Sequence, residues 1–79
     1  MPTVLRIGPY RFSFYGSDET EPSHVHVKRD RSEAKFWIEP SVRLAIQKGF
    51  AAHEINNLMK LVTEHREFLL EKWREHFGQ

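Results

Sequence analysis

The chain has 79 residues, too few for two domains, and a core of this size buries only about 60% of the unfolded surface, which leaves room for an oligomer or a partner. Its 39% hydrophobic and 29% charged residues suit a globular protein and argue against disorder, while a net charge of +1 neither demands nor forbids nucleic acid. With no cysteine, thiol catalysis, thiolate zinc sites and disulfide staples are excluded, and a reducing cytoplasm is the expected compartment.

Met1 to Ile7 lacks the apolar core of a signal peptide, and no apolar run approaches a membrane span. Val4-Leu5-Arg6-Ile7 is apolar and β-branched, and Gly8-Pro9 turns the chain. Tyr10 to Tyr15 alternates, with Tyr10, Phe12 and Phe14 on one side and Arg11, Ser13 and Tyr15 on the other. The two segments read as a hairpin. Gly16 to Ser23 is polar, acidic and contains Pro22, so it reads as a loop. His24 to Lys28 alternates again, with Val25 and Val27 opposite His24, His26 and Lys28. The charged stretch Arg29 to Glu33 is predicted to turn the chain. Ala34 to Glu39 then forms a strand with Ala34, Phe36 and Ile38 on one side and Lys35, Trp37 and Glu39 on the other, stopped by Pro40. Val42, Leu44 and Ile46 keep the period of two, which predicts a fifth strand over Ser41 to Ile46.

From Ala51 the period changes. Ile55, Leu58, Met59 and Val62 fall at helical spacing, as do Leu69, Leu70, Trp73 and Phe77. The polar run Thr63 to Arg66 lies between them. A single helix from Ala52 to His76 would span roughly 37 Å, long for this domain, so two helices or a kink near Thr63 to His65 are predicted. Gly78 ends the helical part. The prediction is one α+β domain over residues 1–79, with strands about 3–46 and helix about 51–77: a small antiparallel sheet of four to five strands covered on one face by one or two C-terminal helices. Val25, Val27, Phe36 and Ile38 face the helices. His24, His26, Lys28, Lys35, Trp37 and Glu39 are expected on the opposite, exposed face.

The stretches "MPTVLRIGPYRFSFY", "DETEPSHVHVKR" and "AKFWIEP" resemble a prokaryotic family known as domain of unknown function 4160. The "VRLA" segment, the Gly49-Phe50 pair and the ending "LLEKWREHFG" fit the same resemblance. Its most specific part is Glu21, Pro22, His24, Val25, His26 and Val27. The resemblance implies a small cytoplasmic protein of bacteria or archaea, often encoded beside another small domain, numbered 2442, in a toxin–antitoxin-like pair. It supplies no catalytic residues. A serine that caps the first helix is expected after Gly49-Phe50, whereas this chain has Ala51, so that helix start is expected to be less well capped.

His24 and His26 carry the sharpest chemical signal. Two apart on a strand, they project to one side with Cα atoms about 6.5–7 Å apart. Imidazole titrates near neutral pH, so such a pair can act as base and acid in metal-free RNA cleavage. Lys28, or Arg29 if the strand end turns, would stabilise the charged phosphorane, and Lys35 and Trp37 would bind substrate, Trp37 by stacking a base. The same pair can hold zinc if Glu21, Asp18, Glu39 or His53 adds a ligand. The plainer reading is a binding surface that packs a protein partner. His53, His65 and His76 read as solvated surface, and Asp18, Glu19 and Glu21 as a solvated acidic loop. Leu69, Trp73 and Phe77 read as core or dimer seam. Positive charge concentrates in the sheet half. No phosphate-cradling glycine loop, nucleotide fingerprint or serine-nucleophile motif is present, which disfavours enzymes of those types, and no cofactor is expected. Three functions stay open: an interaction module of a two-protein system, an RNA-directed toxin, and a His-x-His metal domain.

Overall fold

The computed structural model describes residues 3–15 and 20–78. Five strands, β1 (Thr3–Ile7), β2 (Tyr10–Ser13), β3 (His24–Arg29), β4 (Ser32–Trp37) and β5 (Arg43–Lys48), precede two helices, α1 (Ala52–Glu64) and α2 (Arg66–Phe77). The strands form one antiparallel sheet in sequential order, so every connection is local. The expectations for Gly16, Ser17, Asp18 and Glu19, including any cation held by Asp18 or Glu19, lie outside the described residues. Among the described residues no helix is long and apolar enough to cross a membrane.

The alternation of β2, β3 and β4 decides the core. Phe12, Phe14, Val25, Val27, Phe36 and Ile38 are fully buried, and Ala34 nearly so. Leu58 and Val62 of α1 and Leu69, Leu70 and Trp73 of α2 close over them. Each large apolar side chain removed from water in this way contributes about 1.5–3 kcal/mol. The helical run breaks at His65, as the polar stretch predicts. The Nδ1–H of His65 donates to the Leu61 carbonyl at 2.9 Å, and its backbone N–H reaches the same oxygen at 3.1 Å. Local side-chain bonding of this kind competes with the regular helical ladder.

Two connections differ from the sequence reading. The β3–β4 turn is only Asp30 and Arg31, because Arg29 pairs with Ser32 inside the ladder. Asp30 takes φ 53°, a left-handed conformation that Asp tolerates better than most residues. The fifth strand runs over Arg43–Lys48 and not Ser41 to Ile46. Its register is Phe36 opposite Leu44 but Lys35 opposite Ile46, so one extra residue, Ala45, bulges between them. A bulge reverses side-chain parity, and Leu44 and Ile46 therefore point to opposite faces. Gly49 then leaves the sheet at φ 92°, where a Cβ would meet Ser32 Oγ at 2.7 Å. Only glycine fits that turn.

Helix α1 is anchored to the strands by charge. Arg29 donates from Nε and Nη2 to the two carboxylate oxygens of Glu54 at 3.1 and 3.0 Å, and the Tyr10 hydroxyl donates to the same carboxylate at 3.0 Å. Burial pushes the Glu54 carboxyl up. The hydrogen bonds from Tyr10 and the Ala51 backbone and the nearby Arg29 cation outweigh it, and the net effect holds the carboxyl below its ordinary value. The folded state therefore favours the carboxylate. This contribution is present above the ordinary carboxylate value and is lost as pH falls through the lowered one. Urea midpoints of the wild type should fall more steeply with acidification below about pH 4.5 than those of Glu54→Gln; parallel curves would remove Glu54 as an acid-sensitive anchor.

At its N-terminus α1 begins after Ala51, which gives no side-chain cap. Ala51→Ser should raise stability by about 1 kcal/mol, read as a shift of the urea midpoint at constant slope.

Candidate functional site

The face of the sheet away from the helices is built from three cross-strand rows, because residues directly opposite in an antiparallel ladder share a face. The first row is Arg6, Arg11, Lys28, Glu33 and Lys48, and the second is Thr3, Ser13, His26, Lys35 and Ile46. The third is His24, Trp37 and Arg43. The face thus gathers the cations Arg6, Arg11, Lys28, Lys35, Arg43 and Lys48 around a single carboxylate of the sheet, Glu33. The sequence concentrates these charges in its first half, but only the register places them side by side.

The parity of β3 is as predicted, since Val25 and Val27 face the helices and His24 and His26 face away. The exposure is not. His24 is 0% and His26 only 8% exposed, so the expected open histidine pair is corrected to a covered one. The cover comes from residues that the alternation of β3 cannot reveal. The Tyr15 ring stacks on His26 at 3.8 Å between centroids and 9° between planes. The Tyr15 hydroxyl donates to Glu33 Oε2 at 2.5 Å, an oxygen that also lies 3.9 Å from His26 Nδ1. Trp37 meets His24 edge-on at 5.4 Å, Trp73 reaches it from α2 at 5.3 Å, and His26 itself lies 5.0 Å away.

The segment before β3 completes the cover. A carbonyl can only accept, so the 2.8 Å contact between His24 Nδ1 and the Pro22 oxygen places the ring proton on Nδ1. His24 Nε2 then faces Glu21 Oε1 at 3.8 Å. That carboxylate accepts from Lys35 Nζ at 2.6 Å, and Lys35 lies over the Trp37 ring at 4.6 Å. The Ser23 carbonyl accepts from the Ile38 N–H at 3.0 Å, and the Ser23 hydroxyl donates to Glu39 at 2.8 Å. Glu21 to Ser23 is thereby fastened across the ends of β3 and β4.

Each proposed site residue can now be placed. His24, His26, Lys35, Trp37 and Glu21 form one contiguous cluster, and exposed Lys28 lies on the same face beside it. Arg29 does not belong to the cluster, which corrects the expectation that it joins the substrate site. It has the parity of Val25 and Val27, is engaged by Glu54 on the helix side, and lies 5.6 Å over the Phe50 ring. Acid–base work by His24 and His26 requires donors within about 3 Å of the reacting atoms, so Tyr15 and the Glu21–Pro22 segment would have to move first. Among the described residues no three of His, Asp and Glu converge to hold a metal ion, and the alternative set His24, His26 and Glu21 makes no such cluster. His53 and His76 are exposed, as expected, and His65 is half-buried.

Sequence reasoning passed over two features of this face. One is a polar cleft of about 170 Å³ lined by Thr3, Arg11, Ser13, Tyr15 and Lys28. The other is a groove of about 210 Å³ between β4 and β5, lined by His26, Glu33, Lys35, Ile46 and Lys48 among others. The alternation of Arg11, Ser13 and Tyr15 was the available signal for the first; the bulge at Ala45 hid the second.

Fold and face together define a small α+β domain whose sheet presents a basic surface floored by covered aromatic and imidazole rings. The chain belongs to the family of the domain of unknown function DUF4160, whose model matches residues 10–74. No curated protein and no solved structure matches the chain.

The buried position of His24 makes a stability prediction. His24→Ala should lower unfolding free energy by about 2–4 kcal/mol, the range for deleting a large buried side chain, as measured by urea denaturation. A loss under about 0.5 kcal/mol, typical of a surface change, would contradict the packing described.

Proposed function

We propose that this chain is a protein-interaction module of a prokaryotic two-protein, toxin–antitoxin-like system, acting in the reducing cytoplasm, and that strand β5 is its docking edge. The observation that carries this reading is that all six residues of β5 are exposed. No side chain of β5 is among the buried hydrophobic residues, yet Leu44 is 38% and Ile46 67% exposed. Among the described residues β5 pairs only with β4, so its outer edge offers backbone donors and acceptors for a further strand. Such edges template pairing with another chain, and peptide strands are commonly added to them.

Charge selects the occupant. The strand reads Arg43-Leu44-Ala45-Ile46-Gln47-Lys48, with no acid. Pairing its full length with a second copy in antiparallel sense sets Arg43 against Lys48 at both ends, and like charges directly opposite are destabilising. An extended partner strand with acidic ends and an apolar centre satisfies both the cations and Ile46. The resemblance offers a concrete partner, the neighbouring protein with domain of unknown function 2442. The ribonuclease alternative has less support, because the imidazole of its first catalytic candidate has no exposed surface.

Mixing the two purified proteins should give a complex whose amide exchange is slowed along residues 43–48. Ile46→Lys, at an exposed position, should weaken the affinity at least tenfold by calorimetry with an unchanged melting temperature. Absence of a complex, or full affinity in Ile46→Lys without protection of β5, would overturn the reading.

A further inference from the structure

Arg6, Arg11 and Lys28 stand directly opposite one another across β1, β2 and β3. Three like charges in adjacent ladder positions repel, and nothing in the fold requires them. The carboxylate that follows in the same row, Glu33, is engaged instead by the Tyr15 hydroxyl. Among the described residues Arg6, Arg11, Lys28, Arg43 and Lys48 form no ion pair, whereas Arg29 and Lys35 both do. Positive charge on this face is therefore concentrated and left uncompensated.

The cleft between the first three strands has the chemistry of an oxyanion site. Two cations, Arg11 and Lys28, and three hydroxyls, Thr3, Ser13 and Tyr15, line it, and no carboxylate does. Thr3 and Ser13 are themselves a direct cross-strand pair, so their side chains leave the sheet together. An arginine fork supplies paired donors to a phosphate, a lysine supplies a point charge, and hydroxyls satisfy the remaining oxygen lone pairs.

We propose that this cleft binds a phosphate group of single-stranded RNA, and that the strand continues over the remaining cations of the face. The polymer is favoured over a lone phosphate by extent. The first row continues beyond the cleft to Lys48 on the far strand, roughly 19 Å from β1 at about 4.8 Å per strand. A sheet face is a platform over which a single strand lies, whereas duplex recognition needs an element that enters or spans a groove. Binding here is independent of the β5 edge, since Arg11 and Lys28 lie on β2 and β3.

The test uses the full chain and a fluorescein-labelled 12-nucleotide oligouridylate, followed by anisotropy from low to moderate salt. The wild type should bind, with affinity falling as salt rises. Arg11→Ala with Lys28→Ala should weaken binding at least tenfold and make the log–log salt dependence shallower by about 1.4, at roughly 0.7 per phosphate contact on a single strand. The double variant should fold with equal or higher melting temperature, because a repulsion has been removed. Lys60→Ala, on the helix side, should bind as wild type. Separate arms use inorganic phosphate and a 12-base-pair DNA duplex. No oligouridylate binding at low salt, an unaffected double variant, or binding of inorganic phosphate alone would overturn the proposal. Equal affinity for the duplex would overturn its single-strand specificity.

Discussion

Strand β3 is enclosed on both of its faces, and the rest of the molecule is arranged around that constraint. Its valines are sealed by the helices, and its histidines are sealed by rings and by the segment that leads into the strand. Parallel sheets usually bury both faces, while an antiparallel sheet commonly leaves one face wet. Here the middle of the wet face is closed locally by Tyr15, Trp37 and Glu21, and the openness moves outward to the flanking strands. The functional candidates follow that pattern, with unpaired cations toward β1 and β2 and the uncovered edge at β5.

Polar groups make this closure tolerable. An imidazole taken out of water needs partners for its ring nitrogens, and the Pro22 carbonyl and the Glu21 and Glu33 carboxylates stand beside them. The acidic loop is therefore more than a solvated connection from Glu21 onward: Glu21 joins Lys35 to the histidine cluster, and Ser23 ties the chain to the end of β4. On the helix side, the same division of labour places Arg29 and Tyr10 on one carboxylate of α1. Charged residues that support the fold are paired, and those left unpaired all point one way.

Much of the architecture was legible because hydrophobic periodicity is local. Alternation in Tyr10 to Tyr15, in His24 to Lys28 and in Ala34 to Glu39 named the core side chains correctly, and the change of period after Ala51 located the helices. The polar run at Thr63 to Arg66 marked the break at His65, and Ala51 marked the uncapped start. The family was legible as well, through Glu21-Pro22 and the His-Val-His-Val segment that follows. Failures came where one residue's position depends on another strand. Leu44 and Ile46 alternate in sequence but not in space, since the bulge at Ala45 is a property of the β4–β5 ladder. Arg29 was assigned to the histidine face because the turn was drawn a residue too early.

The sequence by itself determined the order of strands and helices, the apolar face of each, and the side of β3 on which both imidazoles project, because side-chain direction follows from backbone period alone. Tertiary structure decided whether that side was open. Exposure depends on what packs over a residue from distant parts of the chain, and the rings over His24 and His26 come from the ends of β2 and β4 and from α2. The same holds for the basic face: six cations spread over more than forty residues become neighbours only when the strands take their register.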